Sequence, residues 1–327
     1  MNRILLNPPI IQPVPQSVHR PLWSVMIPVY NCSQFLQETL QAVLEQDLGE
    51  AQMQIEVVDD ASTDADVKAL VEQIGKGRVA YFRQEQNLGS LKNFETCLNR
   101  SRGHLVHLLH GDDRVRPGYY QKMEELFQRF PQAGAAFCHF HYITETSTYL
   151  PYKYQTEAER DCVLDNWLVR LGQKQRIQYC AISVKRDVYE KLGGFYGVTY
   201  GEDWEMWMRI AKDYPMAYTP QVLADYRMHQ LSISGQAFAS AKNMQDLQWV
   251  INTIQQYLPE TARSGVRKQA LKFYAHYALR VANRLWHSSY NRQSVRAQIR
   301  EALRMHQDFG MYWQILKLYT KMMLNYP

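Results

Sequence analysis

Two apolar runs in this chain stop abruptly at paired carboxylates. His104-Leu105-Val106-His107-Leu108-Leu109-His110-Gly111 runs into Asp112-Asp113, and well upstream Ile55-Glu56-Val57-Val58 runs into Asp59-Asp60. A short apolar run ending in acid is the pattern of a buried strand whose carboxyl end opens into a polar crevice, the place where open α/β sheets bind ligands. Two such ends in one domain concentrate negative charge, which is unfavourable unless a cation or hydrogen-bond donors compensate it. A divalent metal acting with a phosphorylated ligand is the chemistry this favours. Mg²⁺ and Mn²⁺ prefer oxygen ligands and use one or two carboxylates together with substrate phosphates. No G-x-G-x-x-G follows the first strand and no G-x-x-x-x-G-K-[ST] occurs, so the usual helix-terminus phosphate cradles are absent.

The elements that must position these acids read as repeated βα units. Ser24–Tyr30 is a first strand, followed by a helix from about Ser33 with Leu36, Leu40, Val43 and Leu44 on one face. Ile55–Val58 is a second strand, and Ser62-Thr63-Asp64 offers caps for the next helix. Val79–Phe82 and His104–Leu109 are the third and fourth strands, with Asn87-Leu88-Gly89 and a helix to about Arg100 between them. A helix from Pro117 to about Phe130, with proline in its first turn, precedes a strand over Ala135–Ile143. Tyr179–Lys185 and Val222–Met228 read as extended, Asp187–Leu192 and Trp204–Tyr214 as helices. Beyond Ala237 the chain is helical in character, over roughly 239–257, 262–287, 291–307 and 311–325. Three regions follow: an extended or loosely attached segment over 1–22, which holds five of the thirteen prolines, an α/β domain over 23–236, and a helical region over 237–327.

Five segments, in order and at appropriate spacing, resemble the inverting family-two glycosyltransferases of bacterial surface-polysaccharide synthesis. They are Ser24-Val25-Met26-Ile27-Pro28-Val29-Tyr30-Asn31, Val57-Val58-Asp59-Asp60-Ala61-Ser62-Thr63-Asp64, Asn87-Leu88-Gly89, the Asp112-Asp113 pair, and Gly201-Glu202-Asp203-Trp204-Glu205-Met206-Trp207, which is similar to the family's acidic motif heading a helix. Tyr226-Arg227-Met228-His229-Gln230-Leu231-Ser232-Ile233-Ser234 further resembles a Tyr-Arg-x-His…Ser-x-Ser element of many bacterial members. The resemblance implies a GT-A fold, a Rossmann-like, mostly parallel mixed sheet flanked by helices, here with a helical C-terminal extension. It implies transfer of a sugar, with inversion, from a nucleoside-diphosphate donor to a hydroxyl acceptor, with UDP-sugar as the default donor and a thymidine-linked sugar next, and a saccharide or lipid-linked saccharide as acceptor.

It also implies roles. Pro28, Tyr30 and Asp60 would frame the nucleotide base, and Asn87, Gly89, Lys92 and Asn93 would line the nucleotide site. Asp112 and Asp113 would occupy the acidic metal motif, one reaching the ribose or sugar and the other the Mn²⁺ or Mg²⁺ ion. Asp203 would be the general base, and His229 would approach the diphosphate or complete the metal shell. One position departs from the pattern. The family's metal element reads Asp-x-Asp or Asp-x-Asp-Asp, and here the first acid is replaced by His110. A histidine ligand would favour Mn²⁺ over Mg²⁺, and a spectator histidine would leave only the two carboxylates.

Plainer readings stand beside these. Asp59 can cap the following helix, Asp112-Asp113 can form a turn, and Glu202 can serve the helix dipole. His104 and His107 are expected to pack or face solvent, and Trp204, Trp207 and Met208 to be helix core. A sugar nucleotidyltransferase is the rival enzyme class, but it would carry a Gly-rich basic loop where Pro28-Val29-Tyr30-Asn31 stands. A degenerate transferase kept as a binding subunit is the non-enzymatic rival.

The net charge of +5 hides a division. From Thr261 onward there are twelve Lys/Arg against two Asp/Glu, and the remainder holds twenty-five against thirty. Arg280 and Arg284, and Arg296, Arg300 and Arg304, recur at four-residue spacing and line helical faces. With Trp313, Ile315, Leu316, Leu318, Met322, Met323 and Leu324 as an apolar side, the tail is a solvated helical face or an attachment to anionic lipid. No recognition module accompanies the charge, so nucleic acid is not an expected partner. The five cysteines have no metal-ligand spacing, no signal-peptide pattern opens the chain and no apolar stretch spans a bilayer. These features point to a cytoplasmic protein, peripheral at most to the inner face of a membrane.

Overall fold

The computed structural model describes residues 4–151, 155–229 and 232–325. The chain forms two compact units, Met1–Asp165 with Ile177–Gly197 and Asp213–Met228, and Asn166–Arg176 with Val198–Lys212 and His229–Pro327.

The first unit is built on a nine-stranded sheet. Its opening strand β1 (Trp23–Val29) is buried at every position, as a strand covered on both faces must be. Helix α1 (Ser33–Leu44) lays Phe35, Leu36, Thr39, Leu40 and Val43 inward, the spacing of one helical face. There follow β2 (Met53–Asp59), α2 (Val67–Gly75), β3 (Ala80–Arg83), α3 (Ser90–Arg100) and β4 (Leu105–Leu108), and these four strands pair in parallel. Next come β5 (Arg114–Val115), α4 (Tyr119–Arg129), β6 (Ala135–Ile143), β7 (Cys162–Val163), α5 (Trp167–Gln173, in the second unit), β8 (Ile182–Lys185) and α6 (Arg186–Leu192). Helix α7 (Glu202–Asp213, in the second unit) then precedes strand β9 (Met216–Arg227), which completes the sheet. The sheet order is β3-β2-β1-β4-β8-β6-β9-β5, with β7 also on β9. β8 runs antiparallel to both its neighbours, which makes the sheet mixed.

Strand register sets the chemistry. β1 and β2 are aligned so that Val29 faces Asp59. On its other flank β1 pairs Met26 with Leu108, and the ladder runs on through Leu109 N–H to the Met26 carbonyl (3.0 Å) and Gly111 N–H to the Pro28 carbonyl (3.2 Å). Gly111 is needed for that approach, since a β-carbon there would meet Val29 Cγ2 at 2.8 Å. The connections from β1 to β2 and from β3 to β4 leave on opposite flanks of β1, a topological switch point where α/β sheets bind ligands. Both acid pairs emerge there.

Several local expectations shift. The helix after β2 is capped by Asp66, whose side chain accepts from Ala69 N–H, not by Ser62-Thr63-Asp64. α4 begins after Gly118, so Pro117 precedes it. Tyr179–Ala181 is a short 3₁₀ turn and only Ile182–Lys185 is strand. The proline-rich start is extended but anchored. Ile11 is buried, the Leu5 and Pro9 carbonyls accept from Gly197 and Gly194, and Arg186 donates to the Gln12 carbonyl at 3.0 Å.

The second unit is helical: α5 and α7 with α8 (Ile233–Ser240), α9 (Lys242–Thr253), α10 (Glu260–Ser289), α11 (Arg292–Met305) and α12 (Phe309–Met323). Arg280, Arg284, Arg296, Arg300 and Arg304 are exposed, as their spacing predicts. None of the described helices is long and apolar enough to cross a membrane. The expectation at Gln230 and Leu231 lies outside the described residues.

Candidate active site

At the end of β2, Asp59 and Asp60 do different work. Asp59 is buried and accepts from Ser62 N–H (2.8 Å), from Tyr81 Oη–H (2.7 Å) and from Arg83. It ties the strand end to β3, and this is its structural use. Asp60 is also buried, and its two oxygens accept from the backbone N–H groups of Leu88 (2.7 Å) and Gly89 (2.9 Å). It therefore fixes the loop that starts α3. Gly89 holds φ +88° at that N-cap, a conformation L side chains rarely adopt. Asn93, one turn into α3, is buried and donates to the Val58 carbonyl at 2.9 Å, while Lys92 pairs with Glu95 at 2.8 Å. Tyr30 caps the end of β1 and is 49% exposed.

The second acid pair sits in a turn held from three sides. Thr39 of α1 donates its hydroxyl to the Asp113 carbonyl at 2.6 Å and to the Gly111 carbonyl at 3.1 Å. Asp113 N–H closes the turn on the His110 carbonyl at 3.1 Å. Arg227, at the end of β9, supplies the third side. Its backbone N–H donates to Asp113 Oδ1 at 2.8 Å and its Nε to the Asp112 carbonyl at 2.7 Å. Its guanidinium is buried and also reaches Glu38 (2.9 Å), Ser147 Oγ (2.9 Å) and the Thr144 and Glu145 carbonyls, with the Phe35 ring below it.

Three side chains of this turn converge. The ligand atoms of His110, Asp112 and Asp113 all lie within 4.8 Å of one another. Asp113 Oδ2 is buried and receives no N–H or O–H hydrogen bond, and His110 Nε2 is likewise buried without a partner. Burial, and then the charge of Asp112, push the Asp113 carboxyl well above the ordinary carboxylate range. Burial also depresses His110, which Asp112 partly offsets, and its ring packs between Phe94 (5.1 Å) and Tyr179 (4.3 Å). A neutral imidazole beside two carboxylates is a donor set suited to a divalent transition metal. A buried polar atom left unpaired costs about 1–3 kcal/mol, which such an ion would relieve.

In the second unit, Asp203 heads α7 after Gly201 at φ +90°. It is 9% exposed. Oδ1 accepts from Trp204 N–H at 2.7 Å and Oδ2 from the Gln175 side-chain amide. Gln175 is in turn placed by its own N–H, which donates to Tyr274 Oη at 2.9 Å. Burial outweighs these donors and pushes the Asp203 carboxyl up to about 7, the range in which a carboxylate works as a general base near neutral pH. Its neighbour Glu205 is engaged by Arg209 (2.9 Å) and Tyr257. Trp204, Trp207 and Met208 are fully buried core, as the plainer reading has them.

A sequence model described as "Glycosyl transferase family 2" matches residues 24–193, just over half of the 327 residues. The chain belongs to this family. The putative teichuronic acid biosynthesis glycosyltransferase TuaG of Bacillus subtilis is 26% identical over 240 residues, 68% of this chain and 85% of TuaG. An uncharacterized protein of Mycobacterium tuberculosis is 26% identical over 261 residues, 75% of this chain and 80% of that protein. Among solved structures, Staphylococcus aureus TarS 1–349 in complex with UDP-GlcNAc is similar with a TM-score of 0.60 at 14% identity, covering 88% of this chain and 93% of that one. The mannosyltransferase PcManGT of Pyrobaculum calidifontis, in complex with GDP-Man and Mn²⁺, has a TM-score of 0.55 at 17% identity, covering 95% and 90%. The fold is GT-A and the activity class is glycosyl transfer.

In this family 2 glycosyltransferase, Pro28, Tyr30, Asp60, Asn87, Gly89, Asp112 and Asp113 come together at the carboxyl ends of β1, β2 and β4. Asp203 and His229 belong to the second unit. Asn93 and Lys92 follow Gly89 on α3, their polar ends turned to Val58 and Glu95. Sequence reading passed over Arg227, Thr39 and Glu38. The signal for Arg227 was a cation at the last position of a strand, two residues after Asp225 and inside the Tyr-Arg-x-His element.

Proposed function

We propose that the protein is an inverting glycosyltransferase. It moves a sugar from a UDP-sugar to a hydroxyl of a saccharide or lipid-linked saccharide acceptor, met at the cytoplasmic face of a membrane during cell-surface polysaccharide synthesis. The observation that carries this reading is the convergence of His110, Asp112 and Asp113, with a buried Asp113 oxygen that no N–H or O–H donor reaches, in the turn that ends β4. The relation to TuaG supports the polysaccharide context, and the fold it shares with TarS holding UDP-GlcNAc supports a nucleotide-sugar donor.

Asp113 and His110 would hold a Mn²⁺ or Mg²⁺ ion, with His229 as a further ligand, and the ion would supply charge stabilisation for the leaving diphosphate. Asp112 would face the donor's ribose or sugar. Asp60, through the loop it fixes, would present Asn87 and Gly89 to the nucleotide and accept from the base imide, beside Tyr30 and Pro28. Lys92 and Asn93 complete that wall. Asp203 takes the proton of the acceptor hydroxyl as its oxygen attacks the anomeric carbon. The bond from that carbon to the diphosphate oxygen breaks, and its electron pair leaves with the nucleoside diphosphate. One displacement inverts the anomeric centre and needs no carboxylate nucleophile.

The test is transfer from a panel of nucleotide sugars with Mn²⁺, with the anomeric configuration of the product read by NMR. An inverted product from a UDP-sugar is expected. A retained configuration, or synthesis of a sugar nucleotide from sugar phosphate and nucleoside triphosphate, would overturn the assignment.

A further inference from the structure

Helix α12 has two apolar faces, and only one is used by the fold. Met311, Ile315, Leu318 and Met322 are buried. The opposite side leaves Phe309 86%, Trp313 51%, Leu316 57% and Met323 77% exposed, with Tyr312 and Tyr319 beside them. Ile315, Leu318 and Met322, assigned from the sequence to an outward apolar side, thus belong to the core, because their spacing matches the row that packs inward. Positions 309, 313, 316 and 323 recur at three- and four-residue steps with a seven-residue jump, so the exposed residues form one stripe. Left in water this stripe costs free energy, and a contiguous exposed apolar patch marks an interaction site.

The chemistry around the stripe is cationic. No acidic residue occurs from Phe309 to the last residue. Lys317 lies over the Trp313 ring at 5.0 Å, Lys321 meets His287 at 3.0 Å, and Arg292 donates to the Met322 carbonyl at the helix end. Asp308, the N-cap, is the nearest acid along the chain, and Lys272 (3.3 Å), His276 and His306 (3.2 Å each) already surround it. An apolar stripe with tryptophan and tyrosine at its edge, bordered by cations and free of carboxylates, has the composition of a helix lying in the headgroup region of an anionic bilayer. A second copy of this chain would bring the same positive charge to the face and is the less favourable occupant.

We propose that α12 docks the protein on an anionic phospholipid surface through Phe309, Trp313, Leu316 and Met323, with Lys317, Lys321 and Arg292 on the headgroups. The surface shares with the proposed function only its membrane-borne acceptor, and vesicle binding tests it without a donor. The experiment is co-sedimentation of the full-length protein with vesicles of phosphatidylcholine alone, or with about one third phosphatidylglycerol. Three proteins are compared: wild type, Trp313→Glu/Leu316→Glu and Lys317→Glu/Lys321→Glu, whose folding is checked by thermal melting and whose mass is checked by light scattering. Wild type is expected on the anionic vesicles at low salt, released by high salt and absent from phosphatidylcholine. The apolar double variant loses binding, and the lysine variant loses about fivefold or more per charge. Equal binding to both vesicle types, no binding at low salt, or unchanged binding by the apolar variant would overturn the proposal. So would a wild-type dimer that this variant converts to monomer, which would give the face to a second copy.

Discussion

Burial raises both Asp113 and Asp203 above the ordinary carboxylate range. Asp203 is raised to about 7 by burial, with donors that only partly compensate. A base must be ionised to work, so transfer should rise with pH up to and through about 7 and then level off. Asp203→Asn should lower the turnover by about 10²–10⁴-fold and remove that rise while donor binding stays within about twofold, as read from a pH–rate profile and a titration. Stability carries the same group with the reverse sense. The folded state keeps a proton that the unfolded chain loses near the ordinary value of about 3.9. Stability therefore falls as pH rises between those two values. Denaturant melts at pH 5 and pH 8 should show this fall reduced in Asp203→Asn. Arg227 is the other residue-scale prediction. Its guanidinium joins the Asp112 carbonyl, Glu38 and the Thr144–Ser147 segment at once, which a single ammonium cannot do. Arg227→Lys should fold yet bind Mn²⁺ with UDP several-fold more weakly, whereas Arg227→Met strands buried carbonyl acceptors and costs about 1–3 kcal/mol in a chemical melt. The strand-end acids were legible because a strand boundary is a local pattern. Arg227 was not, because its partners are separated from it by 115 positions at Asp112 and 189 at Glu38.

The βα alternation was legible for a similar reason. β1, β2 and β4 are buried at every position, so each appears as an apolar run, and the helices between them show an inward stripe. β5 and β7 have two residues each, too few to leave a period, and the order β4-β8-β6-β9 depends on long-range pairing that no local pattern carries. In α12 the period was visible but its phase was not, since both faces are apolar and only tertiary packing selects one. Gly89 gives an element-scale prediction. Its φ of +88° starts α3 and delivers the N–H that Asp60 binds. Gly89→Ala should cost about 1–3 kcal/mol in a denaturant melt and also weaken UDP binding. Gly77→Ala, at φ +86° between α2 and β3 with open space around its would-be side chain, should cost similar stability and leave UDP binding unchanged.

For the whole molecule, the sequence shows one composition shift, the change to basic residues after Thr261. The compact units are drawn differently, taking 166–176 and 198–212 into the helical unit, because those segments pack on helices far along the chain, as Gln175 does on Tyr274. Nothing in composition marks such a return. Ligand binding to the native state raises apparent stability by about 2.7 kcal/mol at a hundredfold excess over Kd, so UDP with Mn²⁺ together should shift the melting temperature more than the sum of each alone if one site holds both. The most direct measurement is calorimetric titration of UDP into wild type and Asp113→Asn, each with Mn²⁺ and with EDTA. Tight binding is expected only for wild type with Mn²⁺, and at least about tenfold weaker binding in the other three cases. Binding of equal strength in EDTA, or undiminished by Asp113→Asn, would contradict it.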